Sequence, residues 1–242
     1  MSFESNILCV FEGAIREPRY FNSLKKNFFN DDNIFYCCYG NDLYELFDLL
    51  DMDGDYNIFD LIKENNTVEA NRDLFVSHES DDFNQVFMFF DFEYHDDKFD
   101  TEKIKKMAQL FDNETLHGKL FISYPMIESI RDVPSLNSFL DHKVSLESTK
   151  GKIYKELSTH GISDYVDPRK ITNENWKALV KLSIKKSNYI TNGDSESLSL
   201  VQQSDILDVQ IAEMDTDSIY VLCSFPMFVH HQKGEQIDIT SS

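Results

Sequence analysis

The chain has few glycines, few basic residues and no long apolar run, and each shortage excludes a class of protein. Only 8 of its 242 residues are glycine, too few to suggest the phosphate-binding loop of a nucleotide hydrolase. Its 23 lysines and arginines face 43 acidic residues, and the net charge of -20 argues against coating of DNA by a broad basic face. No apolar segment approaches the roughly 18 residues of a membrane helix, and no signal-peptide pattern is present, so we expect a cytoplasmic protein without a membrane partner.

Cysteine is also rare, whereas phenylalanine and tyrosine are abundant. The four cysteines, at positions 9, 37, 38 and 223, have no C-x-x-C spacing, and we expect them to be reduced thiols in the core. The 20 phenylalanines and 11 tyrosines exclude a disordered acidic tail, in which aromatic residues are depleted. A chain of 242 residues that is 41% hydrophobic can bury a sizeable core.

Short apolar runs alternate with helical spacing in the first half of the chain. Residues 7–11 are continuously apolar, as in a strand buried on both faces of a parallel sheet, and residues 85–91 have the strongest strand pattern. The alternation predicts an α/β fold with a doubly wound, mostly parallel sheet over residues 1–135. The predicted strands are 7–11, 34–39, 85–91 and 120–123, and the predicted helices are 18–29, 43–50 and 100–112.

Beyond residue 135 the pattern becomes mainly helical. Helical spacing recurs near 135–158, 172–189 and 201–213, and a mixed apolar stretch follows at 219–229. The sequence therefore predicts a helical C-terminal appendage over residues 136–242.

Three acidic residues lie at the ends of two predicted strands. Glu12 follows the first strand, and Asp91 and Glu93 end the strongest one. If the two strands are adjacent, the three carboxylates meet at one edge of the sheet and can hold Mg²⁺ or Mn²⁺, which prefer oxygen ligands. Such a cation supports phosphodiester hydrolysis. The alternative is that these residues, three among 43 acids, are helix caps or solvated loop residues.

Three blocks of sequence resemble those of RloB-like proteins, members of the Toprim superfamily that includes the OLD nucleases. Residues 12–21, EGAIREPRYF, resemble the E-G-x-x-x-E-P-x-Y-F opening of that family. Residues 89–93, FFDFE, stand where a Toprim fold has its strand-terminal D-x-D, and residues 123–128, SYPMIE, are similar to the S-x-P-x-x-E that follows the next strand. The sequence departs from the family at Glu93, which replaces the second aspartate, and at Arg16, where threonine is usual.

The resemblance implies a Toprim-like fold and nuclease chemistry that depends on Mg²⁺ or Mn²⁺. It implies that Glu12 is a ligand or general base near the attacking water, and that Asp91 and Glu93 hold the metal. Glu17 and Glu128 are further candidate metal ligands, with a helix-capping role as the alternative for each. The same resemblance implies a role in phage defence together with an ATPase partner.

Two further charged patterns are less specific. Lys177, Lys181 and Lys185 recur every fourth residue of a predicted helix and are candidates for contact with nucleic acid or a partner, although a solvated helix face has the same pattern. The acidic turn at residues 51–55 lacks the glycine and glutamate that an EF-hand has at its sixth and twelfth positions, so we interpret it as a solvated turn.

The sequence leaves three functions open. The first is a nuclease that cleaves DNA or RNA, and the second is a catalytically silent acidic protein that imitates nucleic acid or docks on a basic partner. The third is a Toprim-like regulator that an ATPase holds inactive. Self-association into a homo-oligomer also stays open. A nuclease requires Glu12, Asp91 and Glu93 to converge in a cleft, whereas a mimic spreads its acids over an exposed face.

Overall fold

A computed structural model of the chain describes residues 6–29, 33–50, 57–234 and 237, and its centre is a five-stranded sheet. The strand order is β2-β1-β3-β5-β4, in which all neighbours are parallel except the short edge strand β4. The α/β class and the mostly parallel sheet are therefore confirmed. The strands are β1 (Ile7–Phe11), β2 (Ile34–Cys38), β3 (Gln85–Asp91), β4 (Asp112–Asn113) and β5 (Gly118–Ser123).

The two strands with the strongest apolar patterns lie next to each other at the centre of the sheet. All five residues of β1 are buried, and β1 pairs with β3 over its full length, from Ile7 opposite Gln85 to Phe11 opposite Phe89. The chain leaves β1 toward β2 on one side and later returns to β3 on the other. Because the chain leaves β1 and β3 in opposite directions, a crevice is expected at the carboxyl ends of these two strands.

Helices connect the strands and make up most of the C-terminal half. The helices predicted near 18–29, 43–50, 100–112, 172–189 and 201–213 are all present, with ends shifted by a few residues. Two short helices between residues 57 and 78 were not predicted. The helices are α1 (Arg16–Phe28), α2 (Leu43–Leu49), α3 (Ile58–Glu64), α4 (Arg72–Ser77), α5 (Thr101–Leu110), α6 (Gly151–Leu157), α7 (Asn173–Asn192), α8 (Gln203–Met214) and α9 (Ser224–Lys233).

The prediction of one helix over residues 135–158 is wrong. A strand, β6 (Lys143–Ser145), lies inside this range and pairs in antiparallel fashion with β7 (Ser218–Tyr220). Helical structure resumes only at α6, after a 3-10 turn that begins where the Ser145 side chain caps the Ser148 N–H. The strand depends on a partner more than 70 residues away, so local spacing could not reveal it.

The C-terminal region contacts the sheet directly. Phe225 and Phe228 of α9 lie against Phe89 of β3, with ring centroids 5.0 and 5.2 Å apart. Phe228 also packs against Phe87 at 5.0 Å. Helix α9 therefore covers one face of the sheet rather than standing apart from it, and the division near residue 135 stays a prediction.

Three further expectations concern the cysteines, the lack of a membrane helix and the acidic turn at residues 51–55. The four cysteines are buried and free, as predicted. Within the described ranges, no helix is both long and apolar enough to cross a bilayer. The acidic turn at residues 51–55 lies outside the described residues.

Candidate metal centre

Glu12 and Asp91 lie side by side because their strands pair. Glu12 follows β1 directly, and its N–H donates to the Phe89 carbonyl at 3.0 Å, which extends the ladder by one bond. Its side-chain Oε2 accepts the Asp91 N–H at 2.9 Å. The backbone of one strand thus fixes the carboxylate of the other, at the crevice where α/β sheets bind ligands.

Glu93 reaches the same place through a turn rather than along the strand. The Phe92 N–H donates to the carbonyls of Ser123 and Pro125, both at 3.1 Å, and the Phe92 side chain is buried. Glu93 then adopts a positive φ of 42°, which is uncommon for a residue other than glycine and concentrates at functional sites. Carboxylate oxygens of Glu12, Asp91 and Glu93 all come within 4.8 Å of one another. The predicted convergence is therefore confirmed, although Glu93 arrives through this turn and not as a continuation of β3.

Asp91 is the most enclosed of the three acids. It is 8% exposed, and its Oδ1 accepts the Ile127 N–H at 2.8 Å. Ile127 begins a 3-10 helix at Ile127–Arg131, which follows β5 and closes over the end of β3. The side chain of Asp91 is thus held by the backbone of the segment that follows β5.

The site favours protons or cations because its carboxylates are crowded and poorly hydrated. Burial, and then the charge of Glu93, raise the pKa of Glu12 well above its ordinary value. Burial and the charge of Glu12 do the same to the pKa of Asp91, and burial raises the pKa of Glu93. A divalent cation removes the repulsion that causes part of these shifts.

Two more acids line the same cleft. Glu17 is buried in the first turn of α1, and its Oε1 accepts the Gly13 N–H at 3.1 Å, so it holds the turn between β1 and α1. Burial raises the pKa of Glu17 above its usual value. Glu128 is 1% exposed, and neither of its carboxylate oxygens has a hydrogen-bond partner; the nearest cationic atom is Arg16 Nε at 3.6 Å. The five acids line one cavity of about 590 Å³.

Basic residues also line this cavity, and the sequence analysis did not assign them to it. They are Arg16, Arg19 and Lys155. Arg16 and Arg19 stand inside the EGAIREPRYF block, at helical spacing beside the acids, which is a signal that the sequence offered. Lys155 belongs to α6 and lies 62 residues beyond Glu93 in the sequence, so no local pattern identifies it.

The predicted lysine stripe does not line the cleft. Lys177, Lys181 and Lys185 lie on α7, and Lys185 forms an ion pair with Glu196. The neighbouring Lys186 is fully buried and donates to the carbonyls of Phe139 and His142, both at 2.7 Å. Contact of the stripe with nucleic acid or a partner stays a prediction.

The arrangement can bind a hard cation between three carboxylates and present basic side chains to an anionic ligand beside it. This combination suits a phosphate ester, because the cation and the basic groups neutralise different oxygens. Comparison with family models, with curated proteins and with solved structures finds no match to this chain.

Proposed function

We propose that this protein is a nuclease of the Toprim type that hydrolyses phosphodiester bonds of DNA or RNA with Mg²⁺ or Mn²⁺. One observation carries the proposal: carboxylate oxygens of Glu12, Asp91 and Glu93 lie within 4.8 Å of one another at the carboxyl ends of two adjacent parallel strands. A mostly parallel sheet is compatible with a Toprim-like fold.

The residues of the cleft fit a divalent cation. The candidate ligands are all oxygen donors, and burial together with mutual repulsion raises the pKa of Glu12 and Asp91, the state that a cation relieves. Glu128 adds two buried oxygens without hydrogen-bond partners. When bound, the cation supplies positive charge to the reacting phosphate and lowers the pKa of water. Glu12, Asp91 and Glu93 would hold it, with Glu17 and Glu128 as further candidate ligands.

The remaining steps belong to the side chains of this chain. In the proposed reaction, the oxygen of water loses a proton and forms a bond to phosphorus, the bond from phosphorus to the leaving oxygen breaks, and the leaving oxygen takes up a proton from solvent. Glu12 is the proposed proton acceptor for the attacking water. The Asp91 N–H donates to its Oε2, which leaves its other oxygen, Oε1, to take the proton. Arg16, Arg19 and Lys155 line the cavity and would bind the phosphate oxygens as negative charge develops.

The biological setting of the proposal comes from the resemblance to RloB-like proteins. In that setting the chain acts in the cytoplasm as the effector of a phage-defence system, with an ATPase as partner. The acidic surface would suit docking on a basic partner, since the net charge is -20.

A second candidate function is a catalytically silent acidic binding protein. The observation that favours it is the excess of 43 acidic over 23 basic residues, far more acids than a metal site uses. Convergence of three carboxylates in a cavity with basic residues favours the nuclease, because a mimic of nucleic acid needs no such cavity.

The test is cleavage of labelled DNA and RNA by the purified chain in the presence and absence of Mn²⁺. The chain is tested alone and together with an ATPase encoded by a neighbouring gene. We expect Mn²⁺-dependent cleavage that Asp91→Asn and Glu12→Gln abolish. Asp112→Asn, a matched change of an exposed aspartate on β4, should leave it intact. Absence of cleavage under all these conditions, or full activity in Asp91→Asn, would refute the proposal.

A further inference from the structure

A groove runs along the exposed side of α1, away from the carboxylates. It consists of two adjoining hollows of about 560 and 450 Å³ between α1 and a 3-10 helix at Pro168–Lys170. Arg19 lines both hollows and also the cavity of the metal centre, and Arg16 lines the first hollow and that cavity. The groove, called the α1 groove below, is therefore continuous with the candidate active site.

The α1 groove is basic because of the spacing of residues along α1. Four polar or basic residues follow one another at intervals of three or four, which puts them on one face of the helix. They are Arg16, Arg19, Asn22 and Lys26. The opposite face carries the buried Phe21 and Leu24, which hold the helix on the core.

Two of these cations have no acidic partner. Arg19 and Lys26 are exposed and form no ion pair with any carboxylate in the described part of the chain. Across the groove Arg169 is paired with Asp167 at 2.8 Å, so these two contribute little net charge. Unpaired positive charge beside the active site is notable in a chain with a net charge of -20.

The length of the basic face matches a nucleic-acid strand. Ten residues separate Arg16 from Lys26, or about 15 Å at a rise of about 1.5 Å per residue. A face of this length can contact more than one phosphate along a single strand. The single aromatic residue that lines the groove, Tyr20, is buried, and its hydroxyl donates to the Tyr165 carbonyl at 3.0 Å. The groove thus offers charge and amide donors but no stacking surface for a base.

We infer that the α1 groove binds the phosphate backbone of the nucleic-acid strand next to the scissile bond, without reading its bases. The inference rests on the proposed function for the identity of the strand as a substrate, but binding itself needs no cleavage. Arg19 and Lys26 would contact successive phosphates, and Arg19 would lead the strand into the metal centre. Because the contacts are to phosphates, affinity should depend on salt and hardly on sequence.

The test compares two variants with the same change of charge. Arg19→Glu/Lys26→Glu alters the groove. Arg72→Glu/Lys106→Glu alters an arginine and a lysine that are also exposed, on α4 and α5, of which Arg72 is paired with Glu69. Binding of labelled single strands of DNA and of RNA, about 12 nucleotides long, is measured by fluorescence anisotropy in EDTA over a range of NaCl concentrations. Thermal melts confirm that both variants fold.

We expect the groove variant to bind at least about ten-fold more weakly than wild type at low salt. The slope of log affinity against log salt should flatten by about 1.4, since each of two lost phosphate contacts contributes about 0.7 for a single strand. The control variant should match wild type. Equal affinities and slopes for the two variants, or no binding by the wild type at low salt, would overturn the inference.

A third variant and a parallel cleavage assay separate the possible failures. Lys177→Glu/Lys181→Glu tests the stripe on α7, and if it alone weakened binding, the stripe rather than the groove would hold the strand. A wild-type chain that binds through the groove but does not cleave in Mn²⁺ would refute the nuclease and leave the groove. Cleavage by the wild type together with unchanged binding by the groove variant would support the nuclease and refute the groove.

Discussion

Asp91 combines two properties that separate a metal ligand from a structural acid. Its Oδ1 accepts the Ile127 N–H, a bond that an asparagine in the same position can keep, whereas its negative charge has only unfavourable neighbours among the acids of the cleft. Charge and hydrogen bonding can therefore be changed independently at this position.

We predict that Asp91→Asn leaves the melting temperature in EDTA equal to that of wild type or raises it by a few degrees. Removing one of several repelling carboxylates relieves unfavourable charge in the absence of a cation. The rise in melting temperature on adding Mn²⁺ should shrink, because a ligand stabilises the folded state in proportion to its affinity. Asp112→Asn is the control, with an unchanged Mn²⁺ response. A less stable Asp91→Asn protein with a normal Mn²⁺ response would mean that Asp91 has a structural role.

We predict a distinct pH dependence of stability at the same site. The raised pKa values of Glu12 and Asp91 mean that the folded state holds protons that the unfolded state, with carboxyl pKa values of about 4, has released. Their contribution to stability is complete below about pH 4 and is lost as pH rises through the folded-state pKa values. In EDTA, the stability of wild type relative to Glu12→Gln should therefore fall as the pH rises above about 4.

In Mn²⁺ the trend should reverse, because metal binding requires deprotonated carboxylates. Denaturant melts at several pH values, with and without Mn²⁺, measure both trends. A difference between wild type and Glu12→Gln that does not change with pH would contradict the raised pKa values.

At the scale of elements, the 3-10 helix at Ile127–Arg131 connects the metal centre to α6. Its first N–H holds Asp91, and its last residue, Arg131, is buried and donates from Nη2 to the Lys155 carbonyl at 2.6 Å. The segment after it passes so close to Gly161 that a Cβ there would overlap the Arg131 carbonyl oxygen and lie 2.8 Å from the Val133 nitrogen. A single short helix therefore sets the positions of Asp91, Glu128 and Lys155.

We predict that Gly161→Ala destabilises the protein by about 1–3 kcal/mol, because the added methyl group meets backbone that cannot move as a side chain would. The response of the melting temperature to Mn²⁺ should fall as well, since this segment continues the 3-10 helix whose Ile127 N–H holds Asp91. Gly151→Ala is the matched control, because a Cβ at Gly151 has no atom within 4 Å. Equal denaturation midpoints for the two variants would contradict this account of the segment.

At the scale of the whole molecule, α9 is part of the core of the sheet. Phe228 is fully buried and contacts aromatic rings of α1, β3 and β5. We predict that Phe228→Ala lowers the free energy of unfolding by about 3–5 kcal/mol and that a fragment of residues 1–135 has no cooperative melt. Leu116→Ala, at a side chain that is 74% exposed, should be nearly neutral. A fragment 1–135 that melts cooperatively would support the division that the sequence predicts there.

The sequence predicts the sheet and its acidic edge better than the surroundings of the site. The strands 7–11 and 85–91 have the predicted bounds because their apolar runs are buried on both faces, so composition alone marks them. Glu12 and Asp91 follow from the strand ends. Three features depend on contacts between segments far apart in the chain: the position of Lys155, the β6–β7 pair and the docking of α9. Short-range periodicity carries no information about such contacts.

The buried thiols make the order of unfolding measurable in the unmodified chain. Burial raises the pKa of Cys38 and of Cys223 to about 12, so neither reacts with a thiol reagent near neutral pH while the structure is closed. Cys9 reports on opening of the central strand β1 and Cys38 on opening of the edge strand β2, whereas Cys223 stands immediately before α9. Mass spectrometry of briefly labelled protein would therefore show whether α9 detaches before the sheet opens, without any engineered probe.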